Sequence, residues 1–261
     1  MKLGFIGAGN MAAAIIGGLR KACDMTEIIV SDANSERLSF VAQKFGAKAA
    51  SNIEVAQNAD ILFLAVKPNV YGTVIAEICE EIKPGAIVVS IAAGFSIADV
   101  REMFGGDVKL VKAMPNTPAM VNCGMTAICA SENVSENELA PVLKIFESVG
   151  KVEILPERLF PAFTALAGSS PAYVFTFIEA MADAGVSHGL SRKQAQEIAT
   201  QAVLGSAKYL QESDEHPASL RDAVASPGGT TIAAICELER TGFRSAIISA
   251  VDACVQKYDN M

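Results

Sequence analysis

The feature that most constrains this chain is a series of short, unbroken apolar runs in its first 156 residues. Each run is separated from the next by a stretch with helical spacing. Lys2–Ile6, Glu27–Ser31, Ile61–Val66, Ala86–Ile91 and Lys109–Ala113 are the runs, and Met125–Ala130 and Lys151–Ile154 extend the series. A strand with one wet face alternates polar and apolar residues. A strand that is apolar throughout is covered on both faces, as in a parallel sheet flanked by helices. Helical patterns at Met11–Ala22, Ser35–Phe45, Ile53–Gln57, Val70–Ile82, Ile97–Phe104 and Glu136–Ser148 supply the cover. Repeated strand–helix units with right-handed crossovers predict an α/β fold with a doubly wound parallel sheet.

The pattern changes near Pro156–Pro161, where two prolines bracket an exposed-looking Glu-Arg-Leu-Phe segment. No strand run follows. Helices are expected at Ser170–Ala184, Ser191–Gln211, His216–Ala225, Thr230–Thr241 and Gly242–Lys257. The first is apolar nearly all round and therefore needs a core or an interface. The expected organisation is a sheet domain over residues 1–156 and an all-helical domain over 157–261.

Composition narrows the function. With 21 basic and 29 acidic residues spread over both halves, no surface has the positive charge that nucleic acids or anionic lipids require. The apolar start is broken by Gly4, Gly7, Gly9, Gly17 and Gly18 and by Asn10, which suits a buried strand and turn better than a signal peptide. No stretch of about 18 apolar residues suggests a membrane span. The six cysteines form no Cys-x-x-Cys pair, and there are only two histidines, His188 and His216. The expectation is a cytoplasmic protein with reduced, mostly buried thiols and no metal site.

The first run ends in Gly7-Ala8-Gly9-Asn10-Met11-Ala12, between a strand and a helix. Gly7 permits a tight turn, Gly9 lets a pyrophosphate approach the backbone, and Ala12 lets the helix pack closely. The helix N-terminus then presents N–H groups to the phosphates. Asp32 follows the second strand at about the spacing where an acid holds the adenosine ribose of NAD. Ser31, Asn34, Ser35 and Arg37 can instead cradle the 2′-phosphate of NADP, with Asp32 turned away. A third reading makes Asp32 or Asn34 a helix cap. At this level NAD and NADP both stay open.

Further segments occur in order: Ala65-Val66-Lys67-Pro68, Ser90-Ile91-Ala92-Ala93-Gly94, Met114-Pro115-Asn116-Thr117-Pro118, Gly168-Ser169-Ser170-Pro171-Ala172-Tyr173 and Ser226-Pro227-Gly228-Gly229-Thr230-Thr231. With the glycine loop and the later Gly242-Phe243-Arg244, they make the chain resemble the pyrroline-5-carboxylate reductases over its full length. The resemblance implies a Rossmann-type domain followed by a helical dimerisation domain. It implies reduction of (S)-1-pyrroline-5-carboxylate to L-proline by NADPH or NADH, with NADPH the family's usual choice and Asp32 a local departure. It implies a homodimer, with assembly into a decamer of five dimers left open. By the same match, Asn52 and Ala65-Val66-Lys67-Pro68 line the cofactor, and Ala92-Ala93 lies near the nicotinamide. Thr231 is expected to hydrogen-bond the ring nitrogen.

The chemistry suits these residues. An imine that arrives partly protonated needs a hydride and positioning more than a strong acid. Ser169-Ser170 and Gly228-Gly229-Thr230 each precede an expected helix, so main-chain amides there can hold the substrate carboxylate. Asp214, in the loop before His216, contacts the active site by resemblance, or is a plain loop charge. Two other functions fit parts of the pattern. A hydroxyacid dehydrogenase would need a lysine base such as Lys193 or Lys208, and a nicotinamide-binding sensor would need only the glycine loop.

Overall fold

The computed structural model describes residues 1–22 and 26–260. It divides into two compact units, Met1–Gly168 with Lys257–Met261, and Ser169–Gln256. In the first unit the elements run β1 (Lys2–Ile6), α1 (Asn10–Lys21), β2 (Glu27–Ser31), α2 (Ser35–Phe45), β3 (Lys48–Ala49), α3 (Asn52–Asn58), β4 (Ile61–Leu64), α4 (Tyr71–Ile78), β5 (Ile87–Ser90), α5 (Ile97–Met103), β6 (Lys109–Met114), β7 (Gly124–Ala130), α6 (Glu136–Glu147) and β8 (Gly150–Ile154). A short helix, α7 (Phe160–Phe163), and a π-helical turn at Thr164–Gly168 complete it.

The strands form one sheet in the order β3-β2-β1-β4-β5-β6-β7-β8. Successive strand residues point to opposite faces and enter two separate cores. Leu3, Phe5, Val30, Phe63 and Val89 pack against α1 and α6 through Ile15, Ile16, Ile145 and Phe146. Ile6, Ile29, Leu62, Leu64, Val88 and Leu110 pack on the other side against Val55, Ile75 and Ile78 of α3 and α4. Phe5 stacks on Phe63 with ring centres 4.5 Å apart, and Phe146 meets Phe63 edge-on at 5.9 Å. Burial on both faces is the reason the runs are apolar throughout.

One part of the sheet differs from the expected all-parallel pattern. β7 pairs antiparallel with β6, whereas β8 is parallel to β7. The β6–β7 link is only a 3-10 turn, Thr117–Val121, closed by Asn122 in the left-handed region at φ 58°. A parallel crossover takes a dozen or more residues, usually a helix, and this link has neither. The two-residue β3 was not expected; its side chains are exposed, so no apolar run marks it.

The Glu157–Phe160 segment is also unlike its sequence expectation. Phe160 is fully buried, and with Phe163 it packs on Met114 and Ala127. The Lys112 ammonium, itself buried, sits 3.0 Å from a Glu157 carboxylate oxygen and 4.8 Å from the Phe160 ring centre. These contacts carry the first compact unit past Pro161.

The second unit is helical: α8 (Ser170–Ser187), α9 (Arg192–Glu212), α10 (Pro217–Ala223), α11 (Thr230–Arg240) and α12 (Phe243–Asp259), whose end returns to the first unit. Ser191 caps α9 in a reciprocal box with Gln194. Gly185 and Ala195 let α8 and α9 approach closely, since a Cβ on Gly185 would lie 3.1 Å from that of Ala195. Many apolar side chains stay uncovered in this chain. Phe175 is 66% exposed, Ile248 is 61% exposed, and α11 and α12 have no fully buried residue. No helix among the described residues is long and apolar enough to cross a membrane. The five described cysteines are free, with Cys123 and Cys236 exposed and Cys79, Cys129 and Cys254 half-buried, so the thiols are less buried than expected. Cys23 lies outside the described residues.

Candidate active site

The chain leaves β1 toward β2 and β3, then returns to place β4 on the other side of β1. Ligands of open α/β sheets bind beyond the strand C-termini at such a reversal. There Gly7 takes φ 101°, and a Cβ on it would lie 2.5 Å from the Ala65 carbonyl oxygen, so only glycine fits. Its N–H donates to the Ser31 carbonyl at 2.8 Å, tying the loop to the end of β2. Gly9 is different. A Cβ there would meet nothing nearer than the Ala65 oxygen at 4.0 Å, so the loop has open space in front of it. Gly9 is the N-cap of α1 and has no side chain to offer Asn10, Met11 and Ala12 in the first turn, which contains no acid. This cradle suits a pyrophosphate.

Hydrogen bonds organise the rim. The Ala8 N–H donates to Asp32 Oδ2 at 2.6 Å, and the Asn34 N–H donates to Asp32 Oδ1 at 2.8 Å. Buried Ser31 donates its hydroxyl to Asn52 Oδ1 at 2.7 Å, and Asn52 Nδ2 donates to Glu77 at 2.7 Å, which fixes the Asn52 amide. Asn34 caps α2 by accepting from the Arg37 N–H, and the Arg37 guanidinium donates to Asn10 Oδ1. Of the two cap candidates, Asn34 therefore holds that position.

After β4, Ala65 and Val66 are half-buried while Lys67 and Pro68 are exposed, with Pro68 opening a 3-10 turn. After β5, Ala92 is buried, Ala93 is half-buried and Gly94 takes φ 89°. Buried Tyr71 joins these two strand ends, a residue to which the sequence analysis assigned no role. Burial pushes its phenol up to about 12 against the opposing Ser90 hydrogen bond, so it is a neutral scaffold donor. Asn116 lies just past the end of β6. It is buried, donates to the Ala167 carbonyl at 2.9 Å and accepts from the Met125 N–H at 2.9 Å, holding the π-helical turn to the end of the sheet.

In the second unit, Ser169 is the N-cap of α8 but makes no capping bond. Its hydroxyl accepts from the Cys254 thiol at 3.3 Å, and Ser170 and Pro171 begin the helix. Burial and the Cys254 contact push the neighbouring Tyr173 phenol up. At α11, Gly229 is the N-cap, so Thr230 and Thr231 are the first two helical residues and not caps. The Gly229 N–H closes a turn on the Ser226 carbonyl at 3.0 Å, and Gly228 takes φ 69°. Gly228 lies in the left-handed region that favours glycine, and a Cβ on Gly229 would lie 3.1 Å from the Ser226 carbonyl oxygen, a tight approach. Thr230 is exposed and Thr231 half-buried in the first turn. Asp214 is exposed in the loop after α9. His216 Nδ1 caps α10 by accepting from the Ala218 N–H, and His188 is the C-cap of α8. Lys208 pairs with Glu212 on the α9 surface, and Lys193 lies exposed near that helix's start.

Residues 157–261 match the family model described as pyrroline-5-carboxylate reductase dimerisation, and residues 2–94 match that of the coenzyme F420-dependent NADP oxidoreductases. The pyrroline-5-carboxylate reductase of Escherichia coli (strain K12) is 45% identical over 263 residues, covering 100% of this chain and 98% of the relative. This chain belongs to the pyrroline-5-carboxylate reductase family. Solved members have the same fold. The Coxiella burnetii reductase superposes with a TM-score of 0.94 at 34% identity, covering 99% of this chain and 97% of that one. The Plasmodium falciparum reductase, solved with NADP bound, gives 0.88 at 32% identity, again covering 99% and 97%.

Proposed function

We propose that this protein reduces 1-pyrroline-5-carboxylate to proline, the last step of proline biosynthesis, with a reduced nicotinamide dinucleotide. The observation that carries this reading is similarity to pyrroline-5-carboxylate reductases along the entire chain, through both the sheet and the helical segment. The open space at Gly9 and the uncapped first turn of α1 fit the dinucleotide. Gly7–Ala12 would hold its pyrophosphate, Ser31, Asp32 and Asn52 its adenosine end, Ala65–Pro68 its middle, and Ala92-Ala93 the nicotinamide end. When bound, NADH or NADPH supplies the hydride for the imine carbon.

The chain's own residues have the remaining tasks. A carboxylate is held by main-chain N–H groups at uncapped helix N-termini, where the helix dipole also favours an anion. Ser169 and Ser170 at the start of α8 and Gly228, Gly229 and Thr230 at α11 are assigned to the substrate carboxylate. Because the Gly229 N–H is spent within its turn, the two glycines shape the site at α11 and the first-turn amides of Thr230 and Thr231 are its donors. The Thr231 hydroxyl is assigned to the ring nitrogen, where it holds the proton that the product amine keeps. Asp214 has a carboxylate suited to a cationic imine; its assignment rests on the resemblance alone.

Residues 157–261 are assigned to dimerisation and residues 1–156 to the dinucleotide. The exposed apolar side chains of α8, α11 and α12 support pairing with a second copy. Sedimentation should give at least a dimer, which Phe175→Glu with Ile248→Glu weakens. For the activity, the test is oxidation of NADH and NADPH by purified protein with pyrroline-5-carboxylate, with proline identified chromatographically and small hydroxyacids run in parallel. Turnover of the hydroxyacids alone, or cofactor binding with no turnover, would overturn the reading.

A further inference from the structure

The adenosine end of the site holds groups for two incompatible tasks. An acid after β2 accepts ribose hydroxyls, and an arginine nearby pairs with a 2′-phosphate. Asp32 and Arg37 represent one of each. The hydrogen bonds decide between them, and from them we infer that Asp32 makes this protein select NADH over NADPH. The inference rests on the dinucleotide reading above.

Asp32 is not turned away from the glycine loop. It is bonded to it, through the Ala8 N–H at 2.6 Å, and it is held from the other side by the Asn34 N–H at 2.8 Å. A carboxylate is an acceptor with about four lone-pair sites. Each oxygen has given one to the backbone and keeps another, so the group can still accept hydroxyls from a ribose. The same fixed negative charge repels a phosphate in that position.

Of the four groups that could receive a 2′-phosphate, Ser31 and Asn34 are committed, Arg37 is engaged in part, and Ser35 is exposed at the start of α2. Ser31 is 3% exposed and spends its hydroxyl on Asn52. The Asn34 N–H goes to Asp32, and its side-chain oxygen caps α2 through the Arg37 N–H. The Arg37 guanidinium donates one of its five N–H groups to Asn10, which draws it toward the glycine loop. The first turn of α2 carries Glu36, an acid where a phosphate site needs none. A 2′-phosphate would sit beside the fixed Asp32 carboxylate with Ser31 and Asn34 already bonded elsewhere, whereas the remaining lone pairs of Asp32 can accept ribose hydroxyls.

Direct binding tests this without turnover. Titrations of the full-length protein with NADH and NADPH, followed by nicotinamide fluorescence, should give a Kd for NADH lower by about tenfold or more. ADP-ribose should compete better than its 2′-phosphate by a similar factor, a readout independent of the nicotinamide. Asp32→Ser removes the charge and should move the NADPH-to-NADH ratio toward NADPH by about tenfold. Asp32→Asn, which keeps the size of the side chain, should shift it the same way. Tighter binding of NADPH by the native protein would overturn the inference and leave the reductase reading standing, as would an unchanged ratio in both variants. Failure to bind either dinucleotide would overturn both.

Discussion

The Tyr71 hydroxyl donates to the Leu64 carbonyl at 2.9 Å and lies 3.1 Å from Ser90 Oγ, joining the ends of β4 and β5 where Ala65–Pro68 and Ile91–Gly94 emerge. With its one proton on Leu64, the phenol oxygen accepts from Ser90. Tyr71→Phe leaves both partners short of a bond and should cost about 1–3 kcal/mol in a urea titration. The phenol also sets a pH limit. Its value is raised to about 12 by burial, against 10.0 in the free side chain. The stabilisation is fully present below pH 10 and declines from there to about pH 12, as the unfolded chain ionises first. The loss is on the order of 2–3 kcal/mol, and Tyr71→Phe should flatten that part of the alkaline profile.

Two glycines two residues apart should respond in opposite ways. Gly7→Ala places a Cβ 2.5 Å from the Ala65 oxygen at a φ of 101°, so it should lower thermal stability. Gly9→Val enters open space at an ordinary φ of −66° and should leave the melting temperature near that of the native protein. Its side chain would fill the space proposed for the pyrophosphate, so dinucleotide affinity should fall by about tenfold or more, read by fluorescence titration.

The buried Lys112 ammonium has Glu157 as its counter-ion at 3.0 Å. Removing only the acid leaves a charge in the core, so Glu157→Gln should destabilise by about 3 kcal/mol, less to the extent that water reaches Glu157. Lys112→Met removes the charge instead and keeps an unbranched chain against the Phe160 ring, so it should cost less. Urea midpoints of the two variants make the comparison. Reversed order would show that the pair contributes little.

Thr231 lies in the first turn of α11 while Gly229 holds the cap position, so its hydroxyl is not needed to start the helix. Thr231→Ala should therefore fold normally and lose turnover by about tenfold or more, and Thr231→Ser should recover most of it. Equal turnover in all three proteins would remove Thr231 from the mechanism.

Much of this site was legible because it lies in local chemistry. Gly7 and Gly9 mark a turn that only glycines make, and the caps at Asn34 and Ser191 act within their own helix turns. Tyr71 left no such mark, since its partners Leu64 and Ser90 become neighbours only when β4 pairs with β5. Phe160 looked exposed between prolines because its burial comes from Met114 and Ala127, far away in the chain.

Backbone stereochemistry and hydrophobic periodicity act over a few residues. The sequence alone therefore determined the strand–helix alternation, the glycine loop and the change to an all-helical segment. The direction of β7, the burial of Lys112 against Glu157, and the commitment of Asp32 to the Ala8 amide were decided only by the tertiary structure. Each depends on groups distant in the chain meeting at hydrogen-bonding or packing distance, and no spacing along the chain encodes that encounter.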